Sequence, residues 1–191
     1  MTQIGPKCGA CAPLSPLLGG IEACANRRVS PIRLITLILL AAFAATTADA
    51  ATQKASLIVV EKAKRIMTLY AGKKTIKTYR IALGGNPTGH KEQEGDSRTP
   101  EGRYTIDAKN PWSAFHLSMR VSYPDRKDQA SASRRGVPPG GAIMIHGTPD
   151  GLVGADGSIP DWTLGCIAVT NKEVEEIYAM IRPGTPILIK P

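Results

Sequence analysis

Past residue 50 the chain holds one cysteine. Cys8, Cys11 and Cys24 come earlier, and Cys166 stands alone after them. An exported segment with one thiol closes no internal disulfide. That thiol is a buried structural residue, an intermolecular partner or a reactive group. Histidine is nearly as scarce, with only His90, His116 and His146. None lies near Cys8-x-x-Cys11 and Cys24, so those cysteines lack a fourth ligand for a structural zinc site. Asp150, Asp156 and Asp161 follow in one Gly-rich stretch, but their spacing matches no EF-hand, and they read as a solvated loop. Long hydrophobic runs are missing too. Leu34 to Ala45 is a twelve-residue uncharged run, short of the roughly 20 residues a membrane helix needs. There is no internal repeat, no low-complexity tract and no RNA- or DNA-binding motif. The chemistry therefore has to come from side chains alone, with no metal and no organic cofactor expected.

The first 50 residues read as a leader. Arg27, Arg28 and Arg33 precede the short apolar run, and Ala48-Asp49-Ala50 supplies small residues where a signal peptidase cuts. This is a secretory layout. It predicts removal of all three early cysteines and a mature domain over residues 51–191. No stable membrane span remains after cleavage. Of the 24 basic and 16 acidic residues, four basic and two acidic lie in the leader. The mature segment keeps 20 and 14, a formal charge of +6. In an exported protein that charge suits an anionic wall polymer or membrane surface rather than nucleic acid.

Apolar and polar residues alternate over Ser56–Glu61, Arg65–Tyr70 and Thr75–Leu83, with a turn at Ala71-Gly72-Lys73-Lys74, and so predict strands and a hairpin. Gly84-Gly85-Asn86-Pro87 opens a polar loop to Gly102. Arg103–Lys109 and Ala114–Ser122 are further strands. Residues 124–141, charged and rich in Pro and Gly, are expected to be irregular, in the manner of a functional flap. Ala142–Ile145 reads as a buried strand. Thr170 and Glu173 form a capping box before Val174, Ile177, Tyr178 and Ile181, which recur at helical spacing. Pro183-Gly184 ends that helix, and Thr185–Lys190 is a last strand. The expected fold is α+β and β-rich: mixed sheets, sandwich- or barrel-like, with few helices.

His146 ends the buried strand, and Cys166 follows a turn-rich loop. A thiol is a strong nucleophile only as thiolate, and an imidazole nearby in space can take its proton. Gly165 lets the backbone approach a ligand closely, so amides at Gly165 and Cys166 are candidates to face a developing oxyanion. His90 is expected in solvent and His116 on a partly exposed strand. Tyr104, at the start of a strand, either satisfies a core hydrogen bond or borders the site.

Two segments together resemble the L,D-transpeptidase catalytic domains of the YkuD type. Sixteen residues, Gly147 to Trp162, separate His146 from Thr163-Leu164-Gly165-Cys166. Upstream, Gly95-Asp96-Ser97-Arg98-Thr99-Pro100-Glu101-Gly102-Arg103-Tyr104 looks like that family's Gly-Asp-x-x-Thr-Pro-x-Gly-x-Tyr segment. The resemblance implies a catalytic set of Cys166, His146 and Gly147, the last orienting the imidazole through its carbonyl. It implies a substrate and oxyanion set of Gly165, Thr163, Leu164 and Tyr104. Leu164 stands where many members have His, and Ala168 where many have Arg or Asn. Arg120, Arg126, Arg134 and Arg135 are candidates to hold the substrate carboxylate instead.

The expected activity is cross-linking of peptidoglycan stem peptides through a Cys166 thioester, in the periplasm or cell wall. The alternatives are hydrolysis as an L,D-carboxypeptidase or amidase, and a non-catalytic wall-binding module. The leader carries its own test: N-terminal sequencing of the exported protein should start near Ala51. Recovery of Cys8, Cys11 or Cys24 in that form would overturn their assignment to a discarded leader.

Overall fold

The computed structural model describes residues 53–191, so the leader, its cleavage site, Cys8, Cys11 and Cys24 lie outside the described residues. Strand alternation places β1 (Leu57–Glu61), β2 (Ile66–Ala71) and β3 (Lys74–Arg80) in an antiparallel meander. Next come β4 (Gly102–Ser113), β5 (His116–Val121), α1 (Arg126–Arg134), β6 (Met144–His146), β7 (Ile167–Ala168), α2 (Asn171–Met180) and β8 (Pro186–Lys190). One mixed sheet runs β3-β2-β1-β8-β4-β5-β6-β7. Only the β1–β8 and β6–β7 pairs are parallel. β4 joins its two halves: Gly102–Thr105 pairs with β8, and Ile106–Ser113 pairs with β5.

The sheet curls back on itself. Just past β3, Ala82 exchanges backbone hydrogen bonds of 2.8 and 2.9 Å with Ala168 of β7. The strand at one edge thus delivers the chain to the strand at the other. The inner face carries Ile58, Val60, Leu69, Ile106, Ile187 and Ile189, all essentially buried. Each such side chain stabilises the fold by about 1.5–3 kcal/mol relative to exposure. α2 closes this core against β5 and β6 with Val174 and Ile177. Its capping box forms as expected: Thr170 Oγ1 accepts from the Glu173 amide, and Glu173 Oε2 from the Thr170 amide.

Of the irregular flap expected over 124–141, the first half forms helix α1, and residues 135–141 are irregular as expected. Asp125 Oδ1 accepts from the amides of Lys127 and Asp128 at 2.6 and 2.9 Å, and Asp128 Oδ2 accepts from the Asp125 amide at 2.9 Å. This box uses Asp at the third helical position, where Glu or Gln is the usual signature. The helix is polar almost throughout, burying only Asp128 and Ala132, so no apolar period announces it. β6 also differs from expectation. Ala142 adopts a left-handed φ of 55° and breaks the strand, which begins at Met144 and extends through His146.

The loop from Gly84 to Glu101 has no regular structure and is held by charged side chains. Lys62, at the end of β1 and buried, donates to Gly89 O (2.5 Å), Thr99 O (3.0 Å) and Glu101 Oε1 (2.7 Å). Asp96 accepts from the amides of Glu92, Gln93 and Arg98 and from Lys91 Nζ at 2.8 Å. His90, expected in solvent, is half-buried: its Nδ1 accepts from the Glu101 amide, and its Nε2 lies 3.2 Å from Asp128 Oδ1. A polar loop has no apolar face to bury, so its histidine is drawn into the network that fixes it.

Burial works to raise the Asp96 pKa, yet the Lys91 ammonium and three amides outweigh it and hold the carboxyl down at about 2. A depressed carboxylate contributes stability that is present above its unfolded pKa near 4 and lost as pH falls through the folded value. Asp96→Asn should therefore cost about 2 kcal/mol in urea titrations at pH 6, with the gap to wild type shrinking towards pH 2. A gap that stayed constant with pH would remove the electrostatic account.

Candidate active site

Strand register brings His146 and Cys166 together. In the parallel β6–β7 pair, Ile145 lies opposite Ile167 and His146 opposite Ala168. Side chains alternate along a strand, so Cys166, two residues before Ala168, comes to the face that His146 occupies. Both line one pocket of about 510 Å³, with Phe115, Trp162, Leu164 and the Gly140–Ile143 segment.

His146 is buried, and its Nδ1 lies 2.6 Å from Gly147 O. A carbonyl only accepts, so in the neutral ring Nδ1 carries the proton and Nε2 keeps its lone pair. The ring stacks on Phe115 at 4.8 Å between centroids and meets the edge of Trp162 at 5.6 Å. These contacts fix the imidazole plane. Burial pulls the His146 pKa below its ordinary 6.5, with the Gly147 carbonyl opposing. Burial also pushes the Cys166 thiol up, against the Met144 backbone and the more distant Lys91 charge. Both shifts favour uncharged forms, a thiol and a neutral imidazole lining one pocket, with Cys166 Sγ donating to Ala142 O at 3.5 Å. A thiol and a neutral imidazole in one pocket are suited to general base catalysis.

The turn before Cys166 is fixed from within. Thr163 is buried, and its Oγ1 donates to Cys166 O at 2.8 Å and accepts from the Gly165 amide at 3.1 Å. Thr163 is thus a staple inside the turn. The Gly165 amide, expected to serve an oxyanion, is already engaged. The Cys166 amide makes no hydrogen bond among the described residues and is the remaining donor. Gly165 has φ of 127°, and a Cβ there would sit 2.6 Å from Arg98 O. A Cβ on Gly84 would sit 2.0 Å from Ser97 O. The backbone of the Gly95–Tyr104 segment therefore packs directly against the cysteine turn. Asp161, expected in solvent, anchors the approach to Trp162: it pairs with Arg65 at 2.7 Å and accepts from the Leu83 amide at 2.8 Å.

Leu164 is 80 % exposed on the pocket rim. Tyr104, expected to border the site, does not line the pocket. It is buried in the core and donates to Asp128 Oδ2 at 3.1 Å. The strand alternation that starts at Gly102 points it inward, towards α1. None of the four candidate arginines lines the pocket either: Arg120 pairs with Asp107, and Arg135 reaches Glu92 O. The cation that does line it is Lys91, together with the aromatic walls Phe115 and Trp162. Sequence reasoning missed all three. Trp162, one residue before the Thr163-Leu164-Gly165-Cys166 motif, had a positional signal; Lys91, in a polar loop 75 positions from Cys166, had none.

The family model for the L,D-transpeptidase catalytic domain, YkuD, matches residues 55–189. The chain belongs to this family. Among similar proteins is YafK of Escherichia coli K12, named as a candidate L,D-transpeptidase, 25 % identical over 130 residues that make up 65 % of this chain and 46 % of that one. Among solved structures, the helical cell shape determining protein Pgp2 of Campylobacter jejuni is 26 % identical with a TM-score of 0.57, over 72 % of this chain and 48 % of its own. Bd1075 of Bdellovibrio bacteriovorus is 26 % identical with a TM-score of 0.51, over the same shares. The chain thus spans about half the length of the relatives it matches. Its curled, β-rich sheet, with two α-helices among the described residues, is the L,D-transpeptidase domain fold.

The neutral pair dictates a pH profile. Protonated His146 cannot accept the thiol proton, so acylation by an active-site-directed acylating agent should fall in acid. Because burial lowers the His146 pKa, the midpoint should lie below 6.5, with a plateau through neutral pH. Rates from intact-mass spectrometry at a series of pH values provide the check. A midpoint at or above 6.5 would contradict the buried, neutral imidazole.

Proposed function

We propose that this catalytic domain is an exported acyltransferase of the bacterial cell wall, acting on peptidoglycan stem peptides through a Cys166 thioester. The observation that carries this reading is the His146 Nδ1 bond to Gly147 O. It leaves Nε2 as a base in the pocket that also holds Cys166. Nε2 takes the thiol proton as Sγ attacks the carbonyl of an L-centre linked to a terminal D-residue. The Cys166 amide faces the resulting oxyanion, a contribution of about 3–4 kcal/mol for a well-placed donor. The imidazolium then protonates the leaving nitrogen, the D-amino acid departs and the thioester remains. The amine of a second stem peptide attacks the thioester and gives its proton to His146. An amide cross-link forms, and the thiol is regenerated. The +6 charge of the segment after residue 50 suits an anionic wall polymer. No described helix is long and apolar enough to cross a membrane.

A second reading sends the thioester to water. It is favoured by the helix found where a flap was expected. α1 is pinned through Asp128 to Tyr104 and His90, only Gly140 and Gly141 of the expected flap line the pocket, and Cys166 stays half-exposed. A transferase has to exclude water while it holds an amine. The apolar rim of Trp162, Phe115 and Leu164 is the feature that favours transfer.

Purified protein incubated with disaccharide-tetrapeptide separates these outcomes by product mass. Cross-linked dimer supports transfer. Tripeptide and free D-residue, with no dimer at high acceptor concentration, support the hydrolase. Polymer binding with no turnover would leave only a wall-binding module. Cys166→Ala should remain folded and lose the acyl-enzyme adduct completely, and an adduct persisting at full level would sink the nucleophile assignment.

A further inference from the structure

Two lysines are buried around the Gly84–Glu101 loop, and they differ in one respect. Lys62 satisfies three acceptors, Gly89 O, Thr99 O and Glu101 Oε1, which matches the three N–H bonds of an ammonium. It does not line the catalytic pocket. Lys91 is 3 % exposed and does line it. Its Nζ donates to Gln93 O at 3.0 Å and Asp96 Oδ1 at 2.8 Å, and its third N–H has no partner among the described residues. Burying an ammonium costs several kcal/mol unless attraction and hydrogen bonds offset it. Leaving one donor unmet next to a cavity adds to that cost.

Asp96 pairs with the ammonium but leaves one of its donors unmet. Its two oxygens also serve the amides of Glu92, Gln93 and Arg98, so its acceptor capacity is spent on the loop. Glu94, the other side chain of opposite charge along the pocket, is exposed at its rim. The unmet N–H is the cationic donor that Lys91 offers to the pocket. The ligand chemistry this suits is a carboxylate, bound by a charge-assisted hydrogen bond.

We propose that Lys91 is a specificity residue whose free N–H binds the terminal carboxylate of the amino acid that leaves when Cys166 attacks. This rests on the acyl-transfer reading above and goes beyond it. The pocket selects bonds one residue from a free C-terminus and discriminates against the same bond in a continuing or amidated chain. The choice holds whether an amine or water later resolves the thioester.

The test compares two synthetic stem peptides that differ only at the last residue, one ending in carboxylate and one in carboxamide. Release of the terminal residue is followed by mass, and kcat and KM are separated. In wild type the carboxamide should raise KM about tenfold or more, in line with loss of one charged hydrogen bond, and change kcat less. Lys91→Met should erase the preference, so that the two peptides give the same KM whatever the variant's overall activity. Because Lys91→Met strands Asp96, the Lys91→Met/Asp96→Asn double variant is measured beside it, with thermal melts to establish folding. Equal turnover of both peptides by wild type overturns the proposal and leaves acyl transfer intact. A folded double variant that still prefers the carboxylate overturns it as well. Wild type that acts on neither peptide overturns the acyl-transfer reading and this proposal together. The wild-type comparison needs no variant, so it decides the matter even where a substitution unfolds the chain.

Discussion

Backbone packed against backbone sets the geometry of this site. Gly165 and Gly84 lie so close to the carbonyls of Arg98 and Ser97 that a Cβ on either would overlap an oxygen. No side-chain rearrangement relieves such a clash, because the obstructing atoms belong to the main chain. The cysteine turn, the loop after β3 and the Gly95–Tyr104 segment therefore form one layered unit. Ala82–Ala168 and Gly84–Thr163 bridge the same layers by hydrogen bonds. The position of Cys166 relative to His146 then follows from the β6–β7 register and needs no further device.

Burial has opposite uses at the two ends of this unit. At the catalytic pair it removes charge: the thiol is pushed up and the imidazole down, each by desolvation first. The pair gives up a ready-made thiolate and gains a base that is uncharged at neutral pH. At Asp96 in the supporting loop, the Lys91 ammonium and three amides outweigh the same desolvation and keep charge. Lys62, Lys91 and Asp96 stay in ion pairs because each also collects backbone partners. The difference lies in the number of hydrogen bonds available to offset desolvation.

Much of this was legible in the sequence, for a local reason. The hairpin of β2 and β3, the Thr170–Glu173 cap and the order of the His and Cys motifs each depend on residues near one another in the chain. α1 was hidden because its cap uses Asp125 and Asp128 and its faces are nearly all polar. Asp161 looked like one of three loop carboxylates, since its partner Arg65 lies 96 residues away. Tyr104 had two open readings from sequence, and only the strand register sends it into the core. Lys91 carried no signal because a buried lysine in a polar loop looks like any exposed one until the fold supplies Asp96 and the pocket.

Those misses share a physical origin that bears on how the site is maintained. One wall of the catalytic pocket is a loop with little apolar surface to bury. Its shape comes from two clusters, one around Lys62 and one around Asp96. Exposed ion pairs are weakened by salt, but pairs as buried as these are screened much less. Acid reaches them by a different route, since protonating Asp96 removes the acceptor for Lys91 and three amides at once. Loss of that carboxylate would release the backbone of Arg98, whose carbonyl forms the floor beneath Gly165. The network that holds the loop is thus mechanically continuous with the turn that carries Cys166. Any substitution that disturbs Asp96 or Lys62 is expected to be felt at Cys166 through displacement of the turn, without direct contact with substrate.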